Sequence, residues 1–297
     1  MATHGQFGER FASIAKALGA QVDALGTPWG RAVDPDEVAR RVRAAEYRAV
    51  VIVHNESSTG VVTDLAGIGE VLRDRPTLLV ADSVSGLGGV EMRQDEWGVD
   101  IVVSASQKAL MCPPGLGLVS LSAKAREAAA RDDRCPRFYW DFRKAMTGIG
   151  RPETPFTTPV SLMAGLREAL EMIHEEGLPH VLARHRQLSV ALRAGCAALG
   201  LHAHGQADAR SPTVAVFEVP EGLNGGDIVR GMYERHGTVI AGARNQLAGK
   251  VIRIGTMGDI GAGDILTDLA YLEDVLRELG QPGPAGAGVA AAAAVLQ

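Results

Sequence analysis

Lysine is nearly missing from this sequence, with five residues against 25 arginines. Cysteine is scarcer still, and its three residues (Cys112, Cys135, Cys196) stand far apart. That count argues against a disulfide framework and that spacing against a CxxC zinc site, so a reducing, cytoplasmic setting is expected. No apolar run is long enough to cross a bilayer. The opening MATHGQFGERF lacks the apolar segment of a secretory signal. No basic excess exists either: the formal net charge is -5 and no basic stripe is visible, which speaks against nucleic acid as a partner.

Apolar residues are plentiful, at 46% of 297 residues. That is enough for one large domain or two ordinary ones. FGERFASIAKALG reads as a helix closed by Gly19, and DPDEVARRVRAA as a second one. The latter has Asp34 as its cap, Pro35 in its first turn and Glu37 in capping-box position. RAVVIVHN, TLLVADS, DIVVSAS and LGLVSLS read as strands, with helix DLAGIGEVLRDR between the first two. Solidly apolar strands alternating with helices predict an α/β fold with a mostly parallel sheet. The second half changes character. Two long helices cover residues 161 to about 199, and a smaller α+β unit follows. The expected division is 1–160 for the large unit, 161–200 for connecting helices, 201–280 for the small unit and 281–297 for a disordered Gly/Ala tail.

The segment SASQKALMCPPG sets one of the rare lysines, Lys108, at the mouth of a buried strand, with a stiff turn behind it. Arginine stays protonated, whereas lysine can lose its proton and act as an amine nucleophile. Two other strands end in polar text, HNESSTG and Asp82-Ser83-Val84-Ser85. Ligands of open α/β sheets bind at the carboxyl ends of strands. Ser57, Asp82, Gln107 and Lys108 are thus candidates for one rim. Singly, each has an ordinary explanation as a cap, a turn residue or a solvated cation. Together, an amine, a carboxylate and several hydroxyl and amide groups suit pyridoxal phosphate. The lysine would form its Schiff base and the carboxylate would hold its ring nitrogen protonated.

HNESSTGVV, ADSVSGLGGVEMRQDEWGVDIVVSASQKALMCPPGLGLVSLS and VIRIGTMG resemble the class V pyridoxal-phosphate aminotransferases. The nearest likeness is to the alanine–glyoxylate, serine–glyoxylate and serine–pyruvate group, from about Gly5 to Leu279. The resemblance implies the fold type I architecture of pyridoxal-phosphate enzymes. It also implies ping-pong transamination between a small amino acid (alanine or serine) and a small 2-oxo acid (glyoxylate or pyruvate). It makes Lys108 the Schiff-base lysine and the carrier of the substrate Cα proton, and Asp82 the partner of the ring nitrogen. Val84 and Phe7 would pack on opposite faces of the ring, Ser57 would bond its hydroxyl, and Gln107 would reach the phosphate. Thr157 would reach the phosphate of the neighbouring subunit of a homodimer. Arg253 would grip the substrate α-carboxylate with its planar fork. His54 is expected to be structural, and no metal site is expected.

The family's opening section has no counterpart before Phe7. It holds an arm and a Gly/Ser-rich turn whose N–H groups bind phosphate. The expectation is therefore either part of a longer enzyme or a truncated, weak or silent relative with a thin phosphate site and an exposed sheet edge. A lyase or desulfurase on the same fold is the other alternative, with Cys112 its nearest thiol. No second arginine is obviously placed for a distal carboxylate, which favours small substrates, unless Arg244 in GARNQ points inward.

Overall fold

A computed structural model describes residues 1–131, 137–151, 153–281 and 283–297, so Cys135 lies outside the described residues. Two four-stranded sheets organise the chain. In the first, strands Ala49–Val53, Leu78–Asp82 and Ile101–Ala105 run parallel. Gly117–Leu121 returns antiparallel at the edge. Parallel neighbours need a crossover. The helix Leu65–Leu72 supplies the first, burying Leu65, Ile68, Gly69 and Leu72 at helical spacing. Gly69 has no alternative there, since a Cβ would lie 1.7 Å from the Trp97 carbonyl oxygen.

The helix Pro35–Ala44 is capped by Asp34, whose side chain accepts from the Asp36 N–H at 2.9 Å. Glu37 does not complete the capping box; it turns outward to Arg40. Register sets Val53 beside Asp82, and Asp82 beside Val103. The ladder continues through His54 N–H to the Asp82 carbonyl and Ser83 N–H to the Val103 carbonyl, each 2.8 Å. The strand ends that the sequence flagged as polar therefore share one edge.

The second sheet is antiparallel, in the order Ala241–Gly242, Val251–Gly255, Val214–Glu218, His202–Ala203. Its core joins Phe217, Ile252 and Ile254 to Leu192, Ile228 and Leu269 from the helices Leu178–Ala198, Gly225–His236 and Ala262–Glu278. The tail departs from the expected disorder. Residues Ala287–Leu296 form a helix with Ala292 fully buried against that core. Its composition is the reason: a Cβ on Gly195 would lie 2.8 Å from the Gly288 carbonyl oxygen, so only small residues permit the approach. The Glu273 carboxylate accepts from the Gly286 N–H at 2.8 Å and fixes the helix start. Among the described residues no helix is long and apolar enough to cross a membrane.

Candidate active site

Lys108 begins a turn that is closed from several directions. Met111 N–H donates to the Lys108 carbonyl at 2.9 Å, and Cys112 N–H to the Ser106 carbonyl at 3.0 Å. The Ser106 hydroxyl donates to the Pro113 carbonyl at 2.7 Å and accepts from Leu116 N–H. Met111 sits at φ 59°, a left-handed conformation that costs a non-glycine residue energy. The Pro-Pro-Gly segment thus braces the lysine while reversing the chain into the edge strand. Lys108 is half-buried, and removal from water, then the Arg253 charge, lower its pKa. Cys112 is buried within the same turn.

Asp82 ends the central strand. Its Oδ1 accepts from Val84 N–H at 3.0 Å. Burial raises its pKa, and the backbone bond and the Arg10 charge offset this in part. Among the described residues it makes no ion pair. Val84 is half-buried beside it. His54 is 2% exposed, with Nδ1 3.0 Å from the Ser83 hydroxyl, and burial lowers its pKa to about 4.

Arg253 reaches the first sheet from the second. Its Nε donates to the Gly242 carbonyl at 2.9 Å and its Nη1 to the Ser57 carbonyl at 3.1 Å. One Nη1 proton and both Nη2 protons remain, an edge that fits a carboxylate. Burial lowers its pKa, Glu56 raises it and Arg244 lowers it. Ser57 is buried, its hydroxyl 3.4 Å from that of Ser85.

Glu56, next to Ser57, was not singled out in the sequence. It is fully buried, and its Oε2 accepts from Phe7 and Gly8 N–H at 3.1 Å each. Ser58 joins it, donating to Oε1 at 2.6 Å and accepting from Gln6 N–H at 2.9 Å. Together they hold the start of the helix Gln6–Ala17, where an anion is favoured. The half-buried Phe7 ring carries the Arg10 guanidinium 5.0 Å from its centroid. A glutamate directly after a buried strand was the signal available in the sequence. Two expected residues stand apart: Gln107 and Thr157 are both exposed, and among the described residues neither makes a hydrogen bond within the site. Among the described residues no cluster fit for a metal exists.

Comparison with known proteins agrees with this geometry. The family model for aminotransferase class-V matches residues 9–253. The soluble hydrogenase 42 kDa subunit of Anabaena cylindrica is 39% identical, covering 99% of this chain and 77% of its own. The L-aspartate–glyoxylate aminotransferase of Paracoccus denitrificans is also 39% identical, over 98% of this chain and 75% of its own. The ureidoglycine–glyoxylate aminotransferase structure from Bacillus subtilis superposes with a TM-score of 0.96 at 32% identity. It covers 100% of this chain and 77% of its own. The chain belongs to the class V aminotransferases, and its cofactor is pyridoxal 5'-phosphate.

Proposed function

We propose that this enzyme moves the amino group of a small amino acid, with alanine or serine the simplest, to a small 2-oxo acid such as glyoxylate or pyruvate. The observation that carries this reading is geometric: Arg253, from the second sheet, is tied through Nη1 to the Ser57 carbonyl at the edge where the strands leading to Asp82 and Lys108 end.

The residues fit the cofactor. Asp82 is a carboxylate held out of water with no ion-pair partner among the described residues, and a protonated ring nitrogen would supply the missing charge. Among the described residues the Lys108 amine has no hydrogen-bond partner, and its pKa is lowered, as a covalent anchor needs. When bound, pyridoxal phosphate supplies the electron sink for the substrate Cα–H bond.

Lys108 Nζ would hold and move the substrate Cα proton, taking it from the donor and returning it to the acceptor. Asp82 would hold the ring nitrogen, Val84 and Phe7 would hold the ring, and Ser57 would bind its hydroxyl. Arg253 fixes the α-carboxylate of donor and acceptor alike. Gln107 is assigned to the phosphate, and Thr157 to the phosphate of a second subunit. A homodimer is supported by the exposed apolar side chains of the sequence stretch that holds Thr157, among them Phe138, Trp140, Ile149 and Val160. The two sheets support the division into a cofactor-binding unit over 1–160, connecting helices over 161–200 and a small unit over 201–280. Free Cys112 and Cys196 support a cytoplasmic setting.

The test is a visible absorbance spectrum of the full chain with added pyridoxal phosphate, before and after borohydride, beside Lys108→Ala. The expected result is a band that reduction traps and the variant lacks, with amino transfer from alanine or serine to glyoxylate in the parent alone. A trapped band in Lys108→Ala, or no transfer by a loaded parent, overturns the reading.

A further inference from the structure

The structure assigns a second anion site, apart from the cofactor edge, to the guanidiniums of Arg186, Arg193 and Arg210, and the ligand it fits is the phosphate group of a small molecule.

The helix Leu178–Ala198 carries Arg186, Ser189, Val190 and Arg193 at i, i+3, i+4 and i+7, which is one face. With the segment 207–212 that face lines a cavity of about 470 Å³, the size of a small-ligand site. A direct bond joins the two sides. Arg193 Nη2 donates to the Ser211 carbonyl at 2.5 Å, and Ser211 follows Arg210 in the chain. Arg193 Nη1 turns back to its own helix, to the Ser189 hydroxyl at 2.5 Å and the Ser189 carbonyl at 3.2 Å. Arg210 Nη2 donates to the Ala203 carbonyl at 3.2 Å. Lys108, Asp82 and Arg253 take no part in this lining.

Among the described residues no acid lines the cavity either. Acids stand in the larger cavity beside it, which shares Arg186 and Arg210. There Asp34 and Asp64 cap helices through Asp36 and Gly67 N–H, and Glu91 pairs with Arg93. Among the described residues no carboxylate pairs with any of the three arginines. The hydrogen bonds of Arg193 and Arg210 go to uncharged oxygens, which satisfy N–H groups and leave the positive charges unbalanced. Arg193 is withdrawn from water, and burial, with the Arg210 charge, lowers its pKa to about 10. Arg210 Nε is shut off from solvent and has no partner among the described residues. Two cations so held, with little water and no carboxylate to balance them, are costly. An anion in the cavity relieves both the repulsion and the desolvation. Arg193 keeps Nε–H and one Nη2 proton for it, Arg210 both Nη1 protons, and the exposed Arg186 its whole fork. That is more than one carboxylate accepts. A phosphate group, with three terminal oxygens and up to two charges, suits several converging forks.

The test loads the full chain with pyridoxal phosphate, fixes it with borohydride and removes the excess, so that added phosphate does not report on the cofactor site. Should the chain take up no cofactor, the same titration is run on the free chain, because the variants alone separate the two sites. Calorimetry at constant ionic strength, balanced with chloride, titrates inorganic phosphate and glycerol 3-phosphate. Saturable binding of one or both is expected. Arg186→Gln is expected to weaken it about tenfold, the loss of one charge-assisted contact. Arg186 makes no bond within the fold among the described residues, so this variant should fold as the parent does, which circular dichroism checks. Arg210→Lys keeps the charge without the fork and is expected to weaken binding to a smaller extent. Tighter binding of the ester identifies a phosphorylated metabolite as the ligand, and equal binding identifies the free ion. No saturable binding by the parent, or binding that either variant leaves unchanged, overturns the assignment.

Discussion

Arg253 Nη1 donates a 3.1 Å hydrogen bond to the carbonyl of Ser57, a residue 196 positions earlier in the chain. This bond, with the one to Gly242, aims the guanidinium of the second sheet at the polar edge of the first. Each contact to the charged group contributes about 1.5–3 kcal/mol where water is excluded. The arginine is thereby oriented before any substrate arrives.

Arg253→Lys keeps the charge but loses the planar fork and cannot serve both carbonyls with the same geometry. KM for the amino donor should rise about 10–100-fold, matching the loss of one charge-assisted pair. The fall in kcat should be much smaller, because the α-carboxylate is held in ground and transition states alike. Steady-state kinetics with saturating cofactor check this. A loss confined to kcat would contradict the assignment.

Stability should be acid-sensitive through two buried histidines. His4 and His54 both have pKa values lowered to about 4 by burial. The folded protein therefore favours the neutral ring, while the unfolded chain binds a proton near pH 6.5. Their contribution is fully present above that value and is lost as pH falls towards 4. Each histidine removes roughly 3 kcal/mol over that interval. Urea midpoints between pH 7 and pH 4.5 measure the slope, and His54→Asn should flatten it by about half. An unchanged slope would show that other groups dominate.

Glu56→Ala strips the acceptor from the Phe7 and Gly8 N–H groups and leaves them in a closed pocket. Unsatisfied buried donors cost about 1–3 kcal/mol, so the melting temperature should drop by several degrees. Glu56→Gln keeps one acceptor oxygen and should recover part of the loss. Equal effects of both variants would point to the charge, rather than the hydrogen bonds, as the stabilising element.

Much of this arrangement was readable from residues alone. The parallel strands announce themselves as continuous apolar runs. Asp82 and Lys108 stand out because polar text follows such runs at two neighbouring strand ends. The Pro-Pro-Gly turn after Lys108 is local chemistry and needs no tertiary information. Glu56 offered one local signal, its place directly after a buried strand, but its role was not legible, because its partners lie 48 and 49 residues away. The closing helix was misread for a related reason. GAGVAAAAAVL has the composition of a disordered tail, and its meaning appears only against Gly195.

Glu56 caps the helix that carries Phe7, and its charge also raises the pKa of Arg253. Redesign of the substrate pocket therefore has an inherited constraint. Replacing Arg253 with a neutral residue to admit an uncharged ligand would also release the Ser57 carbonyl, next to the glutamate that caps this helix start, and Phe7 would feel the change. Positions 56 and 253 should consequently be varied as a pair in any library that aims to alter what this enzyme accepts.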